Sequence, residues 1–178
     1  GQQRCVARHQ RDAAAVRREV LDAVAAVQGT GALLFINDHW QEAIAAEAYG
    51  AHLGQEDLDA LQPEEVDRLR DSGLRLGVST HGYAEMVRAD AVSPSYIAMG
   101  AVFPTTLKRM ATAPQGVARL ATYAKLMSHY PLVGIGGIGA EHFADVAATG
   151  VGSIAVVRAL VNAPDPEAAA RGLMQAMG

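Results

Sequence analysis

Short apolar runs alternate with helical patterns along this chain, and that alternation limits the fold more than any other feature. The runs "ALLFI", "AHL", "LRLGVS", "YIAMG", "LVGIG" and "SIAVV" are each long enough for a buried strand and too short for a helix. Between them lie amphipathic stretches with recognisable ends. "DAAAVRREVLDAVAAV" is Ala-rich with a 3.6-residue pattern and is stopped by Gly29 and Gly31. "WQEAIAAEAYG" reads as a helix ended by Gly50, and "PEEVDRLRDSG" opens on Pro63 in a helical first turn. "AEHFADVAATG" reads as a further helix, and the tail "DPEAAARGLMQAM" as a last one capped by Asp165.

Continuous apolar strands separated by helices imply parallel strands covered on both faces. Strand starts at Leu33, Ala51, Leu74, Tyr96, Leu132 and Ile154 are spaced by 18, 23, 22, 36 and 22 residues. Such near-even units favour a barrel over an open doubly wound sheet, and no GxGxxG follows an early strand. An eight-stranded barrel needs more than these six strands, with part of another at Gly1 to Cys5. The expected fold is therefore α/β, a (β/α)8 TIM barrel in one domain over residues 1–178. As an expectation it lacks the first βα unit and the start of the second, because a gapped barrel would expose unpaired strand edges.

Of the 178 residues half are hydrophobic and 19% charged, which suits one domain with a substantial core. No apolar run reaches the roughly 18–20 residues that cross a bilayer, and no signal peptide opens the chain. The net charge of −4, with Lys and Arg scattered, argues against a nucleic-acid partner. Lone Cys5 has no CxxC partner, which points to a reducing, cytoplasmic setting. A homo-oligomer is left open.

Two neighbouring strands end in acid: "ALLFI" runs into "NDHW" and "AHL" into "GQED". In βα barrels the reaction site lies at the carboxyl ends of the strands. Asp38 and Asp57, with Asn37 and Gln55 beside them, are hard oxygen donors suited to Mg²⁺, which takes one or two protein carboxylates and completes its shell with water and phosphate. The bland alternative is that each acid caps a helix, a common duty for Asp after a strand.

Other strand ends add to this face. "GVSTHG" supplies Ser79, Thr80 and His81, with Thr80 the candidate for a mere cap. The long segment "VFPTTLKRMATAPQG" offers Thr105, Thr106, Lys108 and Arg109, and a long loop in a compact domain is more often functional than idle. "GIGGIG" lets backbone N–H groups approach an anion, with a helix start near Ala140 behind it. "VVRA" delivers another helix start in the fold's habitual phosphate position. A tight turn or a solvated loop would also explain these features. His52 reads as a core or strand-flanking residue and His81 as a turn residue; His9, His129 and His142 carry no signal. Trp40 reads as packing at a helix start.

In order and spacing, "FINDHW", "HLGQEDL", "LRLGVSTH", "VFPTTLK…APQG", "VGIGGI" and "GVGSIAVV" resemble the thiamine-phosphate synthase family from Gln2 to about Leu160. The resemblance implies a (β/α)8 enzyme in which hydroxymethylpyrimidine diphosphate loses pyrophosphate and a thiazole phosphate nitrogen captures the methylene, giving thiamine phosphate. It implies Mg²⁺ on Asp38 and Asp57. Gln2, Arg4, Asn37, Ser79 and Lys108 would bind the pyrimidine diphosphate, with Arg4, Ser79 and Lys108 acting in catalysis. Thr105, Thr106, Gly137, Val157 and Arg158 would meet the thiazole phosphate. Three positions depart from the family pattern: Val6 stands for a lysine, Leu107 for a threonine and Arg158 for a serine. A thiazole tautomerase, which resembles this family, needs a histidine where Ala101 stands. A non-catalytic phosphate-binding barrel is the other alternative, motivated by Val6, Leu107 and the short start.

Overall fold

The computed structural model describes residues 12–105 and 113–176. Among the described residues six strands alternate with helices, and strand order in the sheet follows chain order. The first strand pairs with the second, the third with the fourth, the fourth with the fifth and the fifth with the sixth, each pair parallel, as continuous apolar strands demand. Among the described residues no helix is long and apolar enough to cross a membrane. By contacts the chain divides into two compact units, one holding the chain to His52 with Gln62–Arg75, the other Leu53–Leu61 and the chain from Leu76 onward.

In the first unit, helix α1 (Ala13–Val27) begins where the Asp12 carboxylate accepts the Ala14 N–H, and buries Val16 and Val20. Strand β1 (Phe35–Asn37) pairs with β2 (Gly50–Leu53) in the register Ile36 to Ala51. Helix α2 (Trp40–Ala45) is shorter than its sequence pattern suggests. Glu47 takes a left-handed φ of 51°, and the Ala48 N–H bonds the Ala43 carbonyl at 3.0 Å while Glu47 N–H bonds that of Ile44 at 3.1 Å. These two bonds form a Schellman stop, and here Glu fills the position glycine usually takes. Trp40 is buried at the start of α2, as expected, with the Arg68 guanidinium 5.6 Å over its ring. Helix α4 (Pro63–Asp71) starts at Pro63, and the Glu65 carboxylate accepts the Gln62 N–H at 3.0 Å.

In the second unit, the chain after β2 forms the six-residue helix α3 (Gln55–Ala60). Strands β3 (Arg75–Thr80), β4 (Tyr96–Met99), β5 (Leu132–Ile135) and β6 (Ser153–Ala155) pair successively, with Ser79 opposite Ala98 and Gly134 opposite Ile154. Helices α5 (Tyr83–Ala91) and α6 (Gly116–Leu126) follow β3 and β4 in the chain. Val78, Ile97, Met99, Met86, Leu120 and Val146 are fully buried, and each such side chain contributes about 1.5–3 kcal/mol. The helix expected over "AEHFADVAATG" is split into a 3₁₀ turn (Ala140–His142) and α7 (Phe143–Ala147). After β6 come α8 (Arg158–Val161) and α9 (Pro166–Ala176), whose start Asp165 caps through Ala168 N–H at 2.9 Å.

Candidate active site

In the first unit, β1 runs out at Asn37, and the chain turns sharply through Asp38 at φ 63°. A non-glycine residue there costs roughly 1–2 kcal/mol, although Asp tolerates it better than most. The turn is fixed by backbone: Asp38 N–H bonds the His52 carbonyl at 2.9 Å and Trp40 N–H the Asp38 carbonyl at 3.1 Å. His39, not Asp38, is the N-cap of α2. Asn37 and Asp38 are both exposed at this strand end. His52, half-buried on β2, has its imidazole pKa pushed down to about 4 by burial, so it is neutral at pH 7.

In the second unit, Asp57 stands in the first turn of α3, whose N-cap is Gly54. Neither aspartate is thus the cap that the bland reading required. As expected from "AHL", β2 stops at Leu53, and the acid lies four residues further on in α3. Gln55 is corrected as a metal donor. It is 8% exposed, its Nε2 donates to the Ser79 carbonyl at 2.8 Å, and its Oε1 accepts from Arg88 Nε at 3.1 Å. With both ends of the amide committed, Gln55 ties α3 to the end of β3 and to α5.

Thr80 is not a cap either. Its buried hydroxyl donates to the Ala98 carbonyl at 3.2 Å, and Gly82 is the N-cap of α5. His81 lies in the turn, as expected, where the Glu85 carboxylate accepts both its backbone N–H and its Nδ1–H at 2.7 Å. Facing a carboxylate, Nδ1 must be the protonated nitrogen.

The long segment after β4 is pinned at both stems. Val102 N–H bonds the Ile135 carbonyl at 2.9 Å and Phe103 N–H that of Gly136 at 3.0 Å, while Gln115 and Gly116 bond back to Ala101 and Val102 at 2.8 and 2.9 Å. Thr105 is half-buried on this segment. Gly137, φ 70°, lies so close that a Cβ would sit 2.6 Å from the Pro104 oxygen and 2.7 Å from that of Phe103. Only glycine meets both demands, and the contact brings the "GIGGIG" turn against the residues leading to Thr105. His142, to which the sequence alone assigns no role, accepts the Gly139 N–H on Nδ1 at 3.1 Å and stacks on Phe103. Its place three residues after the N-cap is a known reach-back position and was the available signal. Val157 and Arg158 are exposed at the start of α8. Gln2, Arg4, Val6, Thr106, Leu107, Lys108 and Arg109 lie outside the described residues.

A profile of the family described as thiamine monophosphate synthase matches residues 4–160. The chain belongs to that family. It is 52% identical to the thiamine-phosphate synthase of Neisseria meningitidis serogroup A over 167 residues, 94% of this chain and 78% of that one. With the Cronobacter sakazakii thiamine-phosphate synthase it shares 52% over 165 residues, 93% and 77% of the two chains. Among solved structures it superposes on the thiamine phosphate pyrophosphorylase from Pyrococcus furiosus with a TM-score of 0.82 and 27% identity, covering 95% of this chain and 79% of that one. Thiamine-phosphate synthesis is the family function, and this places the chain among the transferases of thiamine biosynthesis. The family match spans every candidate site residue except Gln2.

Among the described residues no three His, Cys, Asp or Glu side chains cluster as a closed metal site. Asp38 in the first unit is exposed and Asp57 in the second is half-buried, and each carries a carboxylate, a hard oxygen donor. Mg²⁺ is satisfied with that few protein ligands because substrate phosphate and water supply the others.

Proposed function

We propose that the chain couples hydroxymethylpyrimidine diphosphate with a thiazole phosphate to give thiamine phosphate and pyrophosphate, in a Mg²⁺-dependent reaction. What supports this reading is the family match over residues 4–160, which takes in both Asp38 and Asp57, and the 52% identity to a thiamine-phosphate synthase. Asp38 and Asp57 would hold the ion together. Bound there, Mg²⁺ supplies charge neutralisation for the departing diphosphate.

The chain's own groups then have two tasks. Asn37, Ser79, Lys108, Gln2 and Arg4 hold the pyrimidine diphosphate, and the cations Lys108 and Arg4 stabilise charge that grows on the leaving oxygen. The C–O bond breaks with its electron pair going to pyrophosphate, and the thiazole nitrogen lone pair forms the new C–N bond. Thr105, Thr106 and backbone at Gly137, Val157 and Arg158 hold the thiazole phosphate so that this nitrogen faces the methylene. The six strands belong in this reading to a (β/α)8 barrel, whose strand ends gather these groups, and the working compartment is the cytoplasm.

Incubating the chain with both substrates, with and without Mg²⁺, tests the proposal. Thiamine phosphate formed only with the metal supports it. No product above background at high protein concentration would instead favour a non-catalytic phosphate-binding domain, as Val6 and Leu107 allow.

A further inference from the structure

Two loops meet at the proposed thiazole phosphate site, and one side chain touches both. From the β5 side, His142 Nδ1 accepts the Gly139 N–H at 3.1 Å, closing the "GIGGIG" turn. The face of the same imidazole lies on Phe103, ring centroids 3.9 Å apart and planes 19° from parallel, so it also holds the segment that leads from β4 to Thr105. Because Nδ1 accepts, the ring proton sits on Nε2, and the 3.7 Å approach of Glu141 to Nδ1 is not an ion pair. Below this clasp the loops are laced by backbone at Val102 and Phe103, and Gly137 presses on the Phe103 and Pro104 carbonyls.

We infer that His142 is a positioning residue for the phosphate of the thiazole substrate, clamping the Thr105 segment and the Gly137 backbone in one arrangement. This rests on the reading that Thr105 and Gly137 receive that phosphate. The two contacts are separable. His142→Asn keeps a side-chain acceptor for Gly139 and loses the ring; Phe103→Leu keeps apolar bulk and loses the stack; His142→Ala loses both.

Initial rates with each substrate varied in turn, and calorimetric titration with thiazole phosphate alone, test the inference in the full chain. His142→Ala should weaken thiazole phosphate binding roughly tenfold, the scale of one lost hydrogen bond with its packing, with the pyrimidine diphosphate KM within about twofold of wild type. Phe103→Leu and His142→Asn should fall between. Equal shifts in both KM values, or unchanged thiazole phosphate affinity in all three variants, would overturn it. Should His142→Ala fail to fold, the other two decide. A wild type that binds thiazole phosphate without making product sinks the proposed reaction and leaves this inference standing on the titrations; a wild type that does not bind it sinks both.

Discussion

Acid should destabilise the first unit through His52. Its folded pKa of about 4 lies below the usual value of 6.5, because burial on β2 disfavours the cation. As pH falls through 6.5 the unfolded chain takes up a proton that the folded one refuses until about pH 4. Stability is therefore fully present above the unfolded pKa, drains away across that window, and levels off below it. The slope approaches about 1.4 kcal/mol per pH unit, and integrating between pH 7 and 4.5 gives a loss of about 2.5 kcal/mol from this group alone. Urea unfolding of the wild type and of His52→Gln at the two pH values isolates the contribution, since other titrating groups are common to both. The wild type should lose about 2.5 kcal/mol more than the variant on acidification. Parallel losses in the two proteins would refute the argument that burial holds this imidazole neutral.

Asp57→Asn should abolish most turnover while lowering Tm by only roughly 1–4 °C, since a carboxylate in a helix first turn contributes about 0.3–1 kcal/mol and Gly54 remains the cap. A large drop in Tm with activity intact would assign Asp57 to the helix. Gly137→Ala should both destabilise and weaken thiazole phosphate binding: the left-handed φ alone costs about 1–2 kcal/mol, and the new methyl must displace the Phe103 and Pro104 carbonyls. Calorimetric scans and titrations on the variant check both effects, and wild-type values would contradict the close approach.

Where the sequence was readable, local chemistry decided the structure. Pro63 announces α4, an Ala-rich 3.6-residue pattern announces α1, and the apolar runs mark each described strand because strands covered on both faces have no polar side to show. Where it was unreadable, the deciding contact was distant or unusual. Helix α2 stops at Ala45 because Glu47 adopts a conformation usually left to glycine, which composition does not reveal. Helix α3 is only six residues long, and Gln55 secures it by reaching 24 positions along the chain to Ser79. In the same way His142 carries no signal until the fold lays Phe103 on its ring. The strand ends were legible because parallel βα units show as apolar runs that stop abruptly; contacts such as those of Gln55 and His142 were not, because they are tertiary.

A double-mutant cycle tests directly the proposal that Asp38 and Asp57 serve one ion. Turnover is measured at saturating substrates and Mg²⁺ for Asp38→Asn, Asp57→Asn and the double variant. Each single change should cost at least roughly tenfold to a hundredfold, the range seen even for outer partners of metal ligands. If the two acids hold the same ion, the double variant falls little below the worse single one. Losses that multiply would show two independent roles and contradict the shared site.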